Sequence, residues 1–266
     1  MTKGSDVAEF VHLEVDAERK VGTLRLDRPP MNALALQVWQ EIGEVAAEAA
    51  DRDDVRALVV TGSPKVFAAG ADIKEFPTWD YTDVRPNGDV LQRNLDVLAR
   101  VPMPTIAAIT GYALGGGCEL AMACDFRFVA DNAKLGQPEI LLGIIPGAGG
   151  TQRLPRLVGL SKAKELIFSG RMVDASEAQQ IGLADAIFPA DDVLREAQDA
   201  AARYAAGPYA IRLAKKAIED GTELPLDQGL RLETGLFAEC FATQDARTGF
   251  ASFMEHGPGK ATFEGR

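Results

Sequence analysis

The sequence predicts an α/β protein with a helical carboxy-terminal region, and three observations lead there. Up to about residue 190, short alternating or wholly apolar runs bounded by Gly, Pro and charged turns exchange with apolar residues at helical spacing. Beyond that point the pattern is almost entirely helical. Finally, 47% hydrophobic residues in a chain of 266 are enough for a sizeable core. A domain of this length removes roughly three quarters of the surface its extended form exposes.

The elements follow in order. VHLEV at residues 11–15 and VGTLRL at 21–26 alternate, and the charged segment 16–20 joins them as a hairpin. After Pro29 and Pro30, Asn32 is a candidate helix cap. Leu34, Val38, Ile42 and Val45 then recur at helical spacing in a helix over 34–50. ALVVT at 57–61 reads as a strand buried on both faces. Residues 62–76 are small-residue loop turning helical at 71–76, and 87–100 are helical. Between them 77–88, PTWDYTDVRPNG, is an irregular excursion. TIAAITG at 105–111 is a buried strand, and YALGGGCELAMACD sets three glycines before a helix, which implies a tight strand-to-helix junction. DFRFVA at 125–130 is a strand, followed by KLGQPEILLG and GIIPGAGGTQRL, where Gly and Pro direct the backbone. Helices are expected at 151–158, 161–168, 176–180, 191–206, 209–220, 226–243 and 246–255, with one strand at 184–188. The division is an α/β core carrying the site over 1–190 and a helical extension over 191–266. Such an extension is marginal by itself, so its amphipathic faces pack on the core or on another subunit.

Charge and cysteine usage exclude several classes. With 28 Lys and Arg against 39 Asp and Glu the formal charge is −11. That removes a globally basic nucleic-acid footprint and weakens a reading as a binder of anionic membranes, while leaving a local basic pocket allowed. The amino terminus has no long apolar core, and no stretch of about 20 apolar residues occurs, so neither a leader nor a membrane span is expected. Cys118, Cys124 and Cys240 with His12 and His256 form neither a disulfide framework nor a zinc spacing. The expectation is a cytoplasmic protein with no metal or redox cofactor.

Chemistry concentrates in four places. Gly115, Gly116 and Gly117 before CELAMA leave unpaired N–H groups at a helix start, where an oxygen acquiring negative charge could bind; alone, the same triplet also reads as a crowded turn. AAGAD at 68–72 has the same character, and one donor from each turn could grip one carbonyl oxygen. Glu119 stands in an otherwise apolar helical turn, either facing the surface or held in an enclosed site where loss of water raises its proton affinity. Glu139 lies between Gln137-Pro138 and Ile140-Leu141-Leu142 in similar company. Two such carboxylates make an acid/base pair, and with peptide N–H groups they suit enolate chemistry on a thioester. Cys118 reads better as an inert filler than as a nucleophile. Trp79 and Tyr81 either line a pocket or pack on the surface. Asp131 and Lys134 read as a solvated turn, and no motif supports catalysis by either histidine.

At these same residues the chain resembles the enoyl-CoA hydratase (crotonase) family, and is most similar to its two-glutamate hydratases. The resemblance runs through DRPPMNAL at 27–34, FAAGADIKE at 67–75, GYALGGGCELAMACD at 111–125, GQPEILLGIIPGAGGTQRLPR at 136–156 and FAECFATQDARTGFASF at 237–253. It implies a spiral of strand-strand-helix units with a helical carboxy-terminal region, assembled as a homotrimer or a dimer of trimers. It places the oxyanion hole at the N–H groups of Ala71 and Gly116, and makes Glu119 and Glu139 the catalytic pair around one water, with Gly147 a backbone contributor beside it. Ala69 and Asp72 would border the CoA-binding turn, and Lys260 and Phe263 would reach the CoA nucleotide, sometimes in a neighbouring subunit; Lys260 also reads as a plain tail lysine. The implied activity is reversible hydration of a trans-2-enoyl-CoA to a 3-hydroxyacyl-CoA in fatty-acid β-oxidation or related acyl-CoA catabolism. CoA is then part of the substrate. A Δ3,Δ2-enoyl-CoA isomerase or another crotonase-type reaction is the enzymatic alternative. Against a non-enzymatic RNA- or CoA-binding role stand the acidic balance and the retained glutamate pair.

Overall fold

The structure, a computed structural model, describes residues 8–266, so the reading of the amino terminus as leaderless falls partly on residues 1–7, outside the described residues. The first alternating runs form β1 (Val11–Asp16) and β2 (Val21–Leu26), paired antiparallel with Val11 opposite Leu26. Helix α1 (Leu36–Ala50) buries Val38, Trp39, Ile42 and Val45. It starts two residues later than expected, and Asn32 is not its cap. Asn32 is buried in the left-handed region, φ 49°, and its amide donates to the carbonyls of Val66 and Phe67. Its side chain joins two turns instead of ending a helix.

β3 (Ala57–Thr61) is followed by the largest departure from the sequence reading. Residues 71–75 are not helical but lead into a 3-10 turn at Phe76–Thr78, and the segment expected to be irregular is mostly the first half of α2 (Tyr81–Ala99). The reason is local: Asp80 Oδ1 accepts from the N–H groups of Thr82 and Asp83 at 2.7 and 3.2 Å, and Asp83 Oδ2 accepts from Asp80 N–H at 3.0 Å. This reciprocal cap starts a helix that Pro86 and Gly88 do not stop.

The chain continues through β4 (Thr105–Ile109), β5 (Tyr112–Leu114), α3 (Gly116–Met122), β6 (Phe126–Ala130), β7 (Lys134–Gly136), a 3-10 turn at Pro138–Leu142, α4 (Gly150–Val158) and α5 (Leu160–Ser169). β8 (Met172–Asp174), α6 (Ala175–Gln180), β9 (Ala186–Phe188), α7 (Val193–Ala205), α8 (Ala210–Thr222), α9 (Leu226–Cys240) and α10 (Gln244–His256) complete it.

The main sheet has the order β1-β2-β3-β4-β6-β9 and is parallel from β2 onward. β5, β7 and β8 form a second, smaller sheet that the sequence did not suggest. Every residue of β3 and β4 is buried, as strands covered on both faces require. Leu58 and Val60 join the cluster containing α1 and α3, while Ala57 and Val59 join Ala197, Ala200 and Ala201 of α7. Thus α7, the first helix beyond residue 190, is the layer that closes the second face of the sheet. Helices α8 to α10 bury few of their own side chains, and Lys215 of α8 anchors to the core at Met103 O (3.0 Å) and Asp125 Oδ2 (2.9 Å). Among the described residues no helix is long and apolar enough to cross a membrane, and no group of three or more His, Cys, Asp or Glu side chains is placed to hold a metal ion.

Candidate active site

Two small-residue turns meet at the mouth of one cavity. In the first, Ala68 N–H donates to Tyr112 O and Leu114 N–H to Ala68 O, which holds residues 68–72 against β5. On its other side Leu34 N–H donates to Gly70 O at 2.9 Å and Asp72 N–H to Leu34 O at 3.1 Å. Leu34 thus bridges the residues flanking Ala71, a one-residue parallel ladder that leaves the N–H of Ala71 outside it. In the second turn Gly115, at φ 51°, donates to Gly136 O at 2.9 Å and accepts from Gln137 Nε2 at 3.2 Å. Gly116 opens α3, where a helix has no intrahelical acceptor for its N–H.

The glycines are there for space as well as conformation. A Cβ on Gly115 would stand 2.9 Å from Glu139 Oε1, one on Gly116 would stand 2.8 Å from the Trp39 indole, and one on Gly117 would run into the carbonyl of Ala68. The crowding that the triplet's turn reading expects is present at all three glycines, and the same close packing sets Ala71 and Gly116 side by side in the wall of one cavity.

That cavity has a volume of about 870 Å³. Ala69, Ala71, Gly116, Glu119, Glu139, Gly147 and Ala148 all line it, and Ile73, Phe76, Trp79, Leu91, Leu141 and Leu142 supply an apolar wall. Glu119 is 2% exposed, and its Oε1 accepts from Ala148 N–H at 2.8 Å and Gly150 N–H at 2.7 Å. Gly150 opens α4 after Gly149 at φ 111°, so the start of α4 is folded onto this carboxylate. Burial raises the proton affinity of Glu119 above the ordinary carboxylate range, against the two amide bonds and nearby Arg153. Glu139 lies on the 3-10 turn after β7, and its Oε2 is buried with no hydrogen-bond partner among the described residues. Burial, with the charge of Glu119 adding to it, pushes Glu139 up to about 7.

Of the residues singled out in the sequence, Glu119, Glu139, Ala69, Ala71, Gly116 and Gly147 come together at the cavity, and Trp79 lines it too. Asp72, Lys260 and Phe263 do not line it in the single chain. The Asp72 carboxylate is turned to Arg28, at 2.7 Å. Phe263 packs toward Gly249 of α10, and Tyr81 is 77% exposed. Gly147 contributes its carbonyl to Gln92 Nε2 at 3.1 Å, while the amides that hold Glu119 belong to its neighbours Ala148 and Gly150. Those two donors were missed: the resemblance singled out Gly147 of the PGAGG run as the backbone contributor, whereas the N–H groups that reach Glu119 are those of the residues one and three places further on. Trp39, whose Nε1 donates to Leu34 O, was also missed, because a buried aromatic in an amphipathic helix reads as core. Cys118 is fully buried and its thiol is pushed up to about 12 by burial, so it stays protonated.

A spiral of strand and helix units carrying two small-residue turns and two enclosed carboxylates around one cavity defines a crotonase-type enzyme. The chain belongs to the enoyl-CoA hydratase/isomerase family, whose model matches residues 16–266. It is 47% identical over 243 residues to the probable enoyl-CoA hydratase echA8 of Mycobacterium bovis, covering 91% of this chain and 94% of that one. It is 41% identical over 249 residues to the crotonyl-CoA hydratase of Syntrophomonas wolfei, with 92% and 96% covered. The crystal structure of an enoyl-CoA hydratase from Bacillus anthracis superposes with a TM-score of 0.90 at 36% identity, covering 97% of this chain and 100% of that one.

Proposed function

We propose that this protein adds water reversibly across the C2–C3 double bond of a trans-2-enoyl-CoA to give a 3-hydroxyacyl-CoA, a step of fatty-acid β-oxidation or related acyl-CoA catabolism in the cytoplasm. The observation that carries the reading is the pairing of Glu119 and Glu139 in the cavity that the Ala71 and Gly116 turns also line. The thioester oxygen would accept from the N–H groups of Ala71 and Gly116, which stabilise it as it becomes negative. Both amide bonds to Glu119 fall on Oε1, so Oε2 remains to take a proton from water as its oxygen attacks C3. Glu139, whose proton affinity is raised to near neutrality, delivers a proton to C2. Gly147, on the same loop as Ala148, would bound the water between them.

CoA enters as part of the substrate, bordered by Ala69, and the chemistry asks for no metal or redox group. Exposed Leu141 and Ile145 at the cavity, Leu160 and Phe168 on α5, and Phe237, Phe250, Phe253 and Met254 on the last helices support assembly as a homotrimer or a dimer of trimers. Contacts from Lys260 and Phe263 to the CoA nucleotide would then be made across a subunit boundary.

The isomerase alternative needs one carboxylate to move a proton between C2 and C4. The two amides committed to Glu119 favour the two-carboxylate reading, because a single-base enzyme has no need of an oriented second carboxylate. Incubation with crotonyl-CoA and longer trans-2-enoyl-CoAs should remove the conjugated thioester absorbance and yield 3-hydroxyacyl-CoA. No turnover at any chain length, or conversion of a 3-enoyl-CoA to its 2-enoyl isomer without hydrated product, would overturn the hydratase reading.

A further inference from the structure

Arg28 precedes α1 and Asp72 lies at the end of the turn that carries Ala71, 44 positions away in sequence, yet they form an ion pair at 2.7 Å. The pair is partly enclosed, with Asp72 only 14% exposed, and the Arg28 guanidinium lies over the Phe10 ring at 5.5 Å from its centre. The second arm of the guanidinium donates to Ala33 O at 2.7 Å. Asp72 uses its other oxygen to accept from Lys74 N–H at 3.2 Å. The 28–34 segment and the 68–72 turn are also joined by Ala69 N–H to Met31 O and by the two bonds of Leu34 around Ala71. Inside the 28–34 segment, Asn32 Oδ1 accepts from Arg28 N–H at 2.9 Å and its amide reaches across to Phe67 O at 3.0 Å.

One residue, Arg28, therefore grips the carbonyl of Ala33 on one side of Leu34 and the carboxylate of Asp72 on the other side of Ala71. A planar guanidinium can hold both acceptors in one fixed geometry, which a flexible ammonium cannot. We propose that Arg28 and Asp72 are positioning residues: their ion pair fixes the slide of the 68–72 turn along Leu34 and so sets where the Ala71 N–H points. Asp72 acts through this pair and not as a CoA contact. The inference rests on the reading of Ala71 as a donor to the thioester oxygen, but not on which reaction follows.

The variants are Asp72→Asn, which keeps size and an acceptor, Arg28→Gln, and the two combined. A conjugated aryl-enoyl-CoA supplies a direct readout, since its absorbance moves to longer wavelength when the carbonyl is polarised on binding. Wild-type protein should show that red shift. Each single variant should lose most of it and lose about 10- to 100-fold in kcat on a trans-2-enoyl-CoA, the range expected when an oxyanion donor is misplaced. KM and the affinity for free CoA should stay within about threefold, and the double variant should be no worse than the poorer single.

A merely structural pair would lower the melting temperature while leaving the red shift of bound ligand and kcat unchanged, and that result overturns the proposal. So does a large loss of CoA affinity with the red shift intact, which would make Asp72 a CoA contact. Should Arg28→Gln fail to fold, the milder Asp72→Asn decides by the same readouts. Absence of any shift in the wild type would overturn the carbonyl-clamp reading itself, whereas failure of hydration with the shift present would leave the role of this pair intact.

Discussion

Glu119 and Glu139 are chemically the same residue set in different surroundings, and in the proposed mechanism those surroundings divide the work between them. Glu119 accepts two amide N–H groups on one oxygen, which favours its ionised form, while Glu139 Oε2 has no described partner and is enclosed, which favours its protonated form. Burial raises both, so the difference lies in what accompanies it: two backbone hydrogen bonds and Arg153 oppose it at Glu119, whereas at Glu139 a single backbone hydrogen bond opposes it and the charge of Glu119 adds to it. Replacing either by Gln should lower kcat about 10²- to 10⁴-fold, the usual worth of a positioned acid or base, with folding retained. The pH dependence has a definite sign. The proposed hydration needs the proton on Glu139, so kcat/KM should fall as pH rises through about 7. On the acid side it should fall once Glu119 takes up a proton. Both limbs belong to the coupled pair. In Glu139→Gln the alkaline limb should vanish from the residual rate, and a wild-type profile flat from pH 6 to 8.5 would contradict the assignment.

At the scale of elements, the site is a set of helix and strand ends brought together, and how visible each was in the sequence depended on how local its cause was. The α3 start was legible because three glycines before an apolar helix are a local signal. The main sheet was legible because ALVVT and TIAAI carry their burial in their composition. β5, β7 and β8 were not, since three-residue strands have too few positions to show a period and exist only through their partners across the chain. The N-terminal half of α2 was hidden by Pro86 and Gly88, whose breaking signal the Asp80 cap overrides in the fold. The contact of α8 with the core was equally invisible, because it joins Lys215 to Asp125 over 90 positions. Glu219 sits beside that pair, with Lys215 Nζ at 3.6 Å from its Oε1. Burial, with Asp125 adding its charge against the pull of Lys215, pushes Glu219 up to about 7. A carboxylate raised in the folded state stabilises that state below its unfolded value, and the contribution is lost as pH rises through the folded one. Glu219→Gln should therefore leave the protein unchanged near pH 4.5 and raise its melting temperature by about 1–3 °C at pH 8, the size expected of roughly 1 kcal/mol once solvent screening at the partly exposed Glu219 is allowed for. Glu119 and Glu139 act in the same direction in both proteins, so the difference between the two melting curves isolates Glu219. Equal temperatures at pH 8 would show that Lys215 fully compensates it.

For the whole molecule, two properties oppose each other. A formal charge of −11 makes copies repel, and it also means that the proposed CoA ester, which bears phosphates, would gain nothing from the overall field of the protein, so its capture would depend on backbone N–H groups and local cations. Yet the surface carries Leu141, Ile145, Leu160, Phe168 and Met254, each at least 67% exposed, more apolar area than a protein that stays single in water tends to leave uncovered. Burial of such side chains contributes roughly 1.5–3 kcal/mol each when complete, and a few per contact exceed the screened repulsion between subunits. Leu141 belongs to the same 3-10 turn as Glu139 and lines the cavity, so a neighbour covering this face would also fix one wall of the site. Sedimentation at micromolar protein should accordingly give three or six times the 28.4 kDa chain mass. Raising salt from about 0.05 to 0.5 M should strengthen the assembly, because it screens like charges over a shorter Debye length and leaves apolar burial in place. Leu160→Asp combined with Phe168→Asp, two exposed positions on α5, should shift the population toward smaller species and lower turnover together with it. A wild-type protein that sediments as a single 28.4 kDa chain with full activity would show that the cavity is complete without a neighbour.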